Sequence, residues 1–260
     1  MLKHQLRKVR LQVEDVAYVY EGGRRTHALE GLTLAVHDNE FVAIVGPVGC
    51  GKTTFLRVAA GFLTPTRGTV LCDGSPVRAP GAERGYVFQE DAVFPWMTVQ
   101  DNLEFGLRAK GAAPEERRAI AAELIRLIGL QGFERAYPGE LSAGMSKMVE
   151  VARVLATDPS ILLMDEPFGS LDAQTRGQMQ DELHRLWEKR LKTVVLVTHD
   201  VDEAICLADR VIVFSARPGR VKAEVVVPLP RPRPLELRLS PEFSAIKRRI
   251  WAELGLADGS

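Results

Sequence analysis

The stretch "FVAIVGPVGCGKTTFLRVAAGF", residues 41–62, decides the fold. Five apolar residues (41–45) lead into a loop, Gly46 to Thr54, that matches the pattern G-x-x-x-x-G-K-S/T, and a helix-like segment follows. The glycines let the backbone curl so that successive N–H groups face inward, which makes an anion site at a helix N-terminus. A solvated lysine on a glycine-rich turn is the alternative, but the flanking strand and helix favour a phosphate-binding loop in an α/β fold.

Composition sets broad limits on what the chain does. It has 260 residues with 34 basic and 34 acidic side chains, so no net charge attracts nucleic acid or anionic lipid over long range. We find no run of about 18 apolar residues and no secretion signal at the start. Three cysteines without metal-like spacing suit a reducing compartment. These features predict a cytoplasmic, globular protein.

Strand and helix patterns divide the chain into an α/β core and a helical insertion. Short β-rich runs occupy the first 89 residues, and the pattern turns mostly helical from about 98 to 156. Unbroken apolar runs then return at 161–165, 193–199 and 210–214, which is typical of buried parallel strands. A Pro/Arg-rich piece, residues 225–243, precedes a last short helix, and we interpret its arginines as a solvated linker.

Several polar residues stand where phosphate chemistry needs them. In the loop, Lys52 can reach the β- and γ-phosphates, and Thr53 offers a hydroxyl to Mg²⁺. Asp165 ends the apolar run "ILLMD", where it can hold Mg²⁺, and Glu166 can orient an attacking water. Two adjacent carboxylates in a strand would point to opposite sides. The alternative is a strand that merely ends in acidic turn residues.

Two more residues follow predicted strands. His199 ends "TVVLVTH" and could contact the γ-phosphate, although a lone histidine is often structural. Gln89 ends "RGYVFQ" and places an amide near metal and water, although it could be an ordinary polar residue at a strand end.

With these motifs in place, the chain resembles the nucleotide-binding subunit of an ATP-binding-cassette (ABC) transporter. The order of motifs is that of the family: phosphate loop, Gln89, "LSAGM" (141–145), "ILLMDEP", "GSLD" and "THD". The resemblance implies a P-loop NTPase (RecA-like) core with an antiparallel β subdomain and an inserted α-helical signature subdomain. It predicts one ABC ATPase domain over 1–260, with the core and β subdomain at 1–89 and 157–228, the helical subdomain at 90–156, and a C-terminal linker and helix at 229–260.

The resemblance also assigns site residues for MgATP hydrolysis. Lys52, Gln89, Glu166 and His199 would be catalytic, and Thr53, Gln89 and Asp165 would contact Mg²⁺. The predicted ATP-binding residues are Tyr20, Gly46, Pro47, Val48, Gly49, Cys50, Gly51, Lys52, Thr53 and Thr54. Tyr20 resembles the aromatic residue that stacks on adenine, with a core tyrosine as the alternative because Tyr18 lies two residues away.

In this family two subunits pack head to tail with ATP between them. By resemblance, Ser142, Ala143 and Gly144 bind the nucleotide of the partner subunit, whereas a plain helix cap is the alternative for Ser142. Asp172 would lie at the dimer seam and is also a suitable N-cap. The signature reads "LSAGM" where two glycines are usual, and Val48 stands where serine is frequent. Both departures from the family pattern would affect the dimerisation affinity and the turnover rate, not the type of reaction.

A finer resemblance is to the nitrate/sulfonate/taurine importer group, through "VFQEDAVFPWMTVQDNLEFGL" and the "LPRPRP…SPEF" tail. It implies that Phe94, Pro95, Trp96 and Met97 dock a membrane subunit, unless they fill the core of the insertion.

The expected function is ATP-driven import of a small anion through two permease subunits and a solute-binding protein, at the cytoplasmic face of the inner membrane and without nucleic acid. The alternatives are a non-transport ABC ATPase and a nucleotide-dependent interaction module.

Overall fold

The computed structural model describes residues 8–23 and 25–255. Residues 1–7, Arg24 and residues 256–260 of the predicted domain ranges therefore lie outside the described residues. Two compact units are present: the first contains the described residues up to Gly81 and from Lys192 onward, and the second is Ala82–Leu191. Within the described ranges, no helix has the length and apolar character needed to cross a bilayer.

Strands predominate up to Val87, helices predominate from Val99 to Ala156, and the two alternate from Ile161 to Phe214. The described strands are β1 (Val9–Tyr20), β2 (Thr26–His37), β3 (Phe41–Val45), β4 (Arg67–Cys72), β5 (Ser75–Pro76), β6 (Arg84–Val87), β7 (Ile161–Asp165), β8 (Thr193–Val197), β9 (Arg210–Phe214) and β10 (Val221–Val226). The described helices are α1 (Lys52–Ala60), α2 (Val99–Ala109), α3 (Pro114–Leu127), α4 (Ala143–Ala156), α5 (Ala173–Arg190), α6 (Val201–Leu207), α7 (Leu235–Arg238) and α8 (Pro241–Leu254).

An antiparallel sheet in the first unit has the strand order β2-β1-β4-β5. On β1 the side chains of Leu11 and Val13 are fully buried, whereas the next residue, Glu14, is exposed. This change from one residue to the next matches a sheet that packs on one face only. The sheet is the antiparallel β subdomain that the family resemblance implied.

A parallel group of strands forms the core of the first unit. Strand β3 pairs in parallel with β8 and with β9, and β10 joins β9 as an antiparallel edge. Every residue of β3 and of β8 is buried, so both strands read as continuous apolar runs without alternation. The predicted α/β fold is confirmed.

Glycines fix both ends of α1, the helix that follows the phosphate loop. Gly51 before the helix has φ 108° and Gly61 after it has φ 84°, both in the left-handed region that favours glycine. The Gly61 N–H caps the helix by donating to carbonyl oxygens of the last turn. The loop is thereby held between a buried strand and a well-terminated helix.

The second unit combines a parallel strand pair with four helices. Strand β6 pairs with β7, and α2 packs against both α3 and α4. Helix α3 begins at Pro114, a residue that suits the first position of a helix, and α2 begins after Thr98, whose hydroxyl accepts a hydrogen bond from the Asp101 N–H. The predicted helical segment 90–156 contains α2, α3 and α4.

Two arginines of the Pro/Arg-rich tail are not solvated, so our interpretation of them as part of a solvated linker is wrong. Arg233 is buried and its Nη1 donates to the carbonyl oxygens of Ile205 and Ala208, each at 2.6 Å. Arg231 donates to the Leu207 carbonyl at 2.6 Å. The two guanidinium groups therefore satisfy carbonyls at the C-terminal end of α6, which a helix leaves without intrahelical partners. Sequence reasoning missed this because the partners lie more than 20 residues upstream.

Candidate functional site

The phosphate loop between β3 and α1 is shaped by glycines that have no room for a side chain. A Cβ on Gly46 would lie 2.9 Å from Cys50 Sγ, and one on Gly51 would lie 2.6 Å from the Ala28 carbonyl oxygen. Gly49 has φ 74°. Residues of any other type would distort the loop at these positions, so the sequence pattern and the backbone geometry agree.

Lys52 is the cation of this loop. Its ammonium group is buried and donates to the carbonyl oxygens of Gly46 at 2.8 Å and Pro47 at 3.2 Å, so it lies across the loop. Val48 at the tip is almost fully exposed. A buried ammonium beside an N-terminal helix turn is an arrangement that binds phosphate groups.

Tyr20, the predicted adenine-stacking residue, lies beside the phosphate loop. Its hydroxyl is 3.1 Å from Oγ1 of Thr54, and 39% of the residue surface is exposed. The ring of Tyr18 contacts it edge-on with the ring centroids 4.8 Å apart. Of the two tyrosines, Tyr20 has the more exposed ring and the direct bond to the loop helix.

A turn between β9 and β10 supports the phosphate loop, and sequence reasoning missed it. Arg217 Nε donates to the Gly49 carbonyl oxygen at 3.0 Å, although the two residues are 168 positions apart. A Cβ on Gly219 would lie 2.3 Å from the Cys50 carbonyl oxygen, so the turn packs directly on the loop. Burial raises the pKa of the Cys50 thiol, while the nearby charges of Lys52 and Arg217 oppose that shift.

His199 also belongs to the first unit. It is exposed and follows the end of β8 by two residues. The next residue, Asp200, caps α6 by accepting from the N–H groups of Asp202 and Glu203. This cap sets the direction of the chain directly after the histidine.

The two acidic residues in the second unit have different environments. Asp165 is the last residue of β7 and is buried, and its Oδ2 accepts a hydrogen bond from the Tyr86 hydroxyl at 3.0 Å. Glu166 lies outside the strand with φ 43° and is partly exposed. The assumption that both carboxylates lie in the strand is therefore wrong, because β7 ends at Asp165 and Glu166 is in a left-handed turn. A non-glycine residue in that region is strained, which is common at functional sites.

The signature segment forms the N-terminus of α4. Ser142 is the N-cap and its Oγ accepts from the Met145 N–H at 3.2 Å, while Ser142 and Ala143 are both exposed. Gly144 is buried, and a Cβ there would lie 2.9 Å from Thr175 Cγ2 and 3.0 Å from Met179 Sδ. Ser142 therefore caps the helix, and the role of this segment in binding a partner's nucleotide stays a prediction.

Asp172 is the N-cap of α5. Its Oδ1 accepts from the N–H groups of Gln174 and Thr175, each at 3.0 Å. Hydrogen bonds, first that from the Thr175 side chain, lower the pKa of this exposed carboxyl group. The capping prediction is confirmed, and the place at a dimer seam stays a prediction.

Gln89 and the predicted docking residues follow β6 in the second unit. Gln89 is exposed, and so are Pro95 and Trp96, the latter at 69%. Phe94 is half-buried against Phe105, with the ring centroids 4.6 Å apart. The segment thus contributes partly to the packing of the insertion and partly to its surface.

A buried asparagine fixes the backbone of the predicted docking residues 94–97. Asn102 Oδ1 accepts from the Phe94 N–H, and its Nδ2 donates to the carbonyl oxygens of Phe94, Met97 and Thr98. Met97 is half-buried. The exposed aromatic surface is therefore carried on a fixed backbone.

Each unit contains residues that the sequence assigns to nucleotide binding. The first unit brings Tyr20 together with the phosphate loop, Lys52 and Thr53. The second contains Asp165, Glu166, Gln89 and the signature turn. Among the described residues there is no cluster of three or more His, Cys, Asp and Glu side chains that could hold a metal. A single buried carboxylate such as that of Asp165 suits Mg²⁺, which is usually bound by one or two carboxylates and keeps several water ligands.

Comparisons with known proteins agree with this geometry. Residues 29–169 match the family model described as ABC transporter. An uncharacterised ABC transporter ATP-binding protein of Methanocaldococcus jannaschii is 51% identical over 95% of this chain and 92% of its own length. The chain is also similar to proteins named nitrate import ATP-binding protein in Synechocystis, with 43% identity over 90% of both chains, and taurine import ATP-binding protein in Rhizobium johnstonii, with 45% identity over 92% and 94%.

A solved structure gives the same result. The fold matches the dimeric structure of a post-hydrolysis state of an ATP-binding cassette bound to ADP and Pi, with a TM-score of 0.72 and 32% identity over 84% of this chain and 98% of that one. The predicted P-loop NTPase fold and the resemblance to the nitrate, sulfonate and taurine importer group are confirmed. This chain therefore belongs to the ABC transporter family, in which it is an ATP-binding subunit with ATPase activity.

Proposed function

We propose that this chain drives the import of a small anion by hydrolysing MgATP at two sites formed between head-to-tail subunits. The observation that carries the proposal is the exposed N-terminus of α4, where Ser142 and Ala143 face solvent beside a tightly packed Gly144. An open helix N-terminus attracts an anion, and in the ABC family that anion is the γ-phosphate of the partner's ATP.

ATP binding in this proposal depends on the phosphate loop. The loop N–H groups and Lys52 hold the phosphates, and Tyr20 stacks on the adenine from beside the loop. Thr53, Asp165 and Gln89 hold Mg²⁺, which neutralises charge on the β- and γ-phosphates. The Tyr86 hydroxyl orients the Asp165 carboxylate for this task.

Hydrolysis then depends on Glu166 and His199. Glu166 orients and polarises the attacking water, and His199 contacts the γ-phosphate. Ser142 and Gly144 of the other subunit complete the site only when the dimer closes. Loss of the γ-phosphate lets the subunits separate, which gives a two-state motion that a transporter can use.

The membrane partners in this proposal are two permease subunits, with a solute-binding protein that delivers the cargo. Trp96 and Pro95 present an exposed apolar surface on a backbone fixed by Asn102, which suits docking of a short helix. The subunit would then sit peripherally at the cytoplasmic face of the inner membrane. Relatives named for nitrate and taurine import support a small anion such as nitrate, taurine or another sulfonate as the cargo.

Steady-state MgATP hydrolysis over a range of protein concentrations tests the composite site. The wild-type rate should rise more than linearly with protein concentration. We expect Glu166→Gln to lower kcat at least about 100-fold, since it removes a general base. Ser142→Ala should lower it by about 100-fold, since it removes a donor to the transferring phosphate.

A matched control is Ser75→Ala, because Ser75 is an exposed serine in the antiparallel sheet of the first unit. It should keep the wild-type rate and concentration dependence. A rate strictly proportional to protein concentration, unaffected by Ser142→Ala, would contradict the composite site.

Co-purified membrane subunits in vesicles then test the cargo, since import of nitrate or taurine should depend on ATP.

A further inference from the structure

A buried ion pair in α4 has no part in the functions described so far. The side chains of Lys147 and Glu150 are 1% and 0% exposed, and Lys147 Nζ lies 2.9 Å from Glu150 Oε2. Both residues lie within two turns of the signature residue Gly144 on the same helix, whose N-cap is Ser142. An ion pair so completely removed from water is unusual and needs an explanation.

Both partners bind the backbone on either side of Gln89. Glu150 Oε1 accepts a hydrogen bond from the Phe88 N–H at 3.0 Å. Lys147 Nζ donates to the carbonyl oxygens of Phe88 at 3.3 Å and Glu90 at 3.5 Å. It also lies 3.4 Å from Oδ1 of the exposed Asp91. The pair therefore holds the backbone of Phe88 and Glu90, the two neighbours of Gln89.

The energetic cost of burying the pair suggests that its role is to bind this backbone rather than to stabilise the fold. Removing two charges from water carries a large desolvation penalty, and apolar residues of similar volume are often at least as stabilising. Apolar side chains could not hold the backbone that leaves β6 at Val87, where the strand ladder ends. The pair supplies a cation and an anion to that backbone at once, in a buried site where such bonds are strong.

We propose that Lys147 and Glu150 are positioning residues for Gln89, and that they link the position of Gln89 to the signature end of α4. This inference rests on the proposed function of Gln89 at Mg²⁺. Because α4 is a continuous helix from Ala143 to Ala156, a displacement at its first turn carries Lys147 and Glu150 with it, and thereby the backbone of residues 88–90. Metal occupancy at Gln89 and engagement of the signature turn are coupled through these two side chains.

The test uses the double variant Lys147→Met/Glu150→Gln, which leaves no buried unpaired charge. We measure the Mg²⁺ concentration that gives half the maximal ATPase rate, and separately the affinity for ATP in EDTA. Loss of a residue that orients a metal-site group typically costs 10- to 100-fold in metal affinity or activity, so we expect the half-saturating Mg²⁺ concentration to rise about tenfold. ATP affinity without Mg²⁺ should stay at the wild-type value, because it depends on the phosphate loop.

A double-mutant cycle with Gln89→Ala separates positioning from general loss of structure. In the Gln89→Ala background the double variant should cause no further change in Mg²⁺ dependence, because its effect is transmitted through Gln89. Glu104→Gln is the matched control, since Glu104 is a buried carboxylate paired with Arg117 in the same unit and has no contact with residues 88–90 among its described bonds. It should keep the wild-type Mg²⁺ dependence.

Three results would overturn the inference. The first is a wild-type Mg²⁺ dependence in the double variant; the second is a full additional effect in the Gln89→Ala background. The third is a Gln89→Ala variant with wild-type kcat and Mg²⁺ dependence. This third result would also overturn the proposed role of Gln89 at Mg²⁺, whereas the first two would overturn only the positioning role of Lys147 and Glu150. If the double variant does not fold, Glu150→Gln alone replaces it, since Lys147 keeps Asp91 as a partner. We then expect the half-saturating Mg²⁺ concentration to rise about threefold. An unchanged half-saturating Mg²⁺ concentration in this single variant would contradict the inference.

Discussion

Arg217 shows how a residue without a motif can act on the phosphate loop. Its guanidinium donates to the Gly49 carbonyl oxygen, and Gly219 in the same turn packs against the Cys50 carbonyl. The Gly219 N–H in turn donates to the Ala28 carbonyl at 2.9 Å, so the turn is tied to β2 as well. One cation therefore supports the loop from outside, while Lys52 supports it from within.

We predict that Arg217→Gln raises the KM for ATP about tenfold. The variant loses a positive charge near the phosphates and a charge-assisted hydrogen bond, which contributes about 1.5 kcal/mol at the lower end of the range for bonds to charged groups. A tenfold change in affinity corresponds to about 1.4 kcal/mol. Steady-state kinetics over a range of ATP concentrations measure this. The control is Arg220→Gln in the same turn, where Arg220 bonds to Glu30 and should leave KM unchanged. Equal effects of the two variants would mean that the turn as a whole, not Arg217, matters.

Cys50 should react slowly with alkylating reagents near neutral pH. The residue is buried, and burial raises the pKa of its thiol, so the thiolate fraction at a given pH is below that of an ordinary cysteine. Labelling by iodoacetamide, followed by mass spectrometry, should therefore accelerate as the pH rises beyond the usual cysteine range. MgATP should slow it further at every pH. Equal labelling with and without MgATP would contradict the assignment of the loop.

The residues differ in how far sequence alone predicts their surroundings. The glycines and Lys52 of the phosphate loop occur in one short pattern whose backbone requirements are local, so their arrangement followed from the sequence. The direction of Glu166 did not, because a left-handed turn directly after β7 replaces the strand geometry that the sequence suggested. Arg217 carries no local pattern, and its partner is 168 positions away.

At the scale of the element, α6 illustrates a helix that depends on distant residues for its end. It has only seven residues, and Arg233 Nη1 binds the carbonyl oxygens of Ile205, Cys206 and Ala208. Burial, with the charge of Arg231, lowers the pKa of Arg233 to about 10, so the guanidinium stays charged at neutral pH. A cation at a helix C-terminus is also favourable for the helix dipole.

We therefore predict that Arg233→Met lowers the free energy of unfolding by about 2 to 3 kcal/mol, because buried carbonyl groups lose a charged donor. Urea unfolding followed by circular dichroism measures the change. Arg249→Met on the exposed face of α8 is the matched control and should stay within about 0.5 kcal/mol of wild type. Similar losses in both variants would mean that the helix end is not the cause.

Elements with a strong internal signal could be predicted from the sequence. Strands β3 and β8 are unbroken apolar runs, and α3 carries its own start signal at Pro114. Helix α8 likewise buries Phe243 and Ile250, which are seven residues apart and so lie on one face of the helix. The tail before it could not be predicted, since arginine-rich segments are usually solvated and the carbonyls that hold Arg231 and Arg233 become available only when α6 ends.

At the scale of the whole molecule, the predicted site residues are distributed over both units. The phosphate loop, Tyr20 and His199 belong to the first unit, whereas Asp165, Glu166 and the signature turn belong to the second. The family order of motifs predicted this set of residues. The sequence of one chain contains no signal for the subunit on which each motif acts, and the dimeric relative supplies the reason to test a shared site.

Mixing two inactive variants tests the shared site directly. In a head-to-tail dimer, Lys52→Ala disables the site that uses its own phosphate loop, and Ser142→Ala disables the site of the partner. A mixed dimer of the two variants then has one doubly defective site and one intact site. If chains pair at random and sites act independently, half of the dimers are mixed, so an equal mixture should regain up to about one quarter of the wild-type ATPase rate.

The controls are each variant alone at the total protein concentration of the mixture, since both should stay near zero. A mixture of Lys52→Ala with Glu166→Gln is a further comparison, because the proposal assigns these two residues to the same nucleotide in one chain. That mixed dimer also keeps one wild-type loop, but the loop belongs to the chain that lacks Glu166, so no site is intact and no rate should return. A mixture of Lys52→Ala and Ser142→Ala that stays as inactive as its components would place the signature turn and the phosphate loop of one chain at the same nucleotide, and would overturn the head-to-tail arrangement.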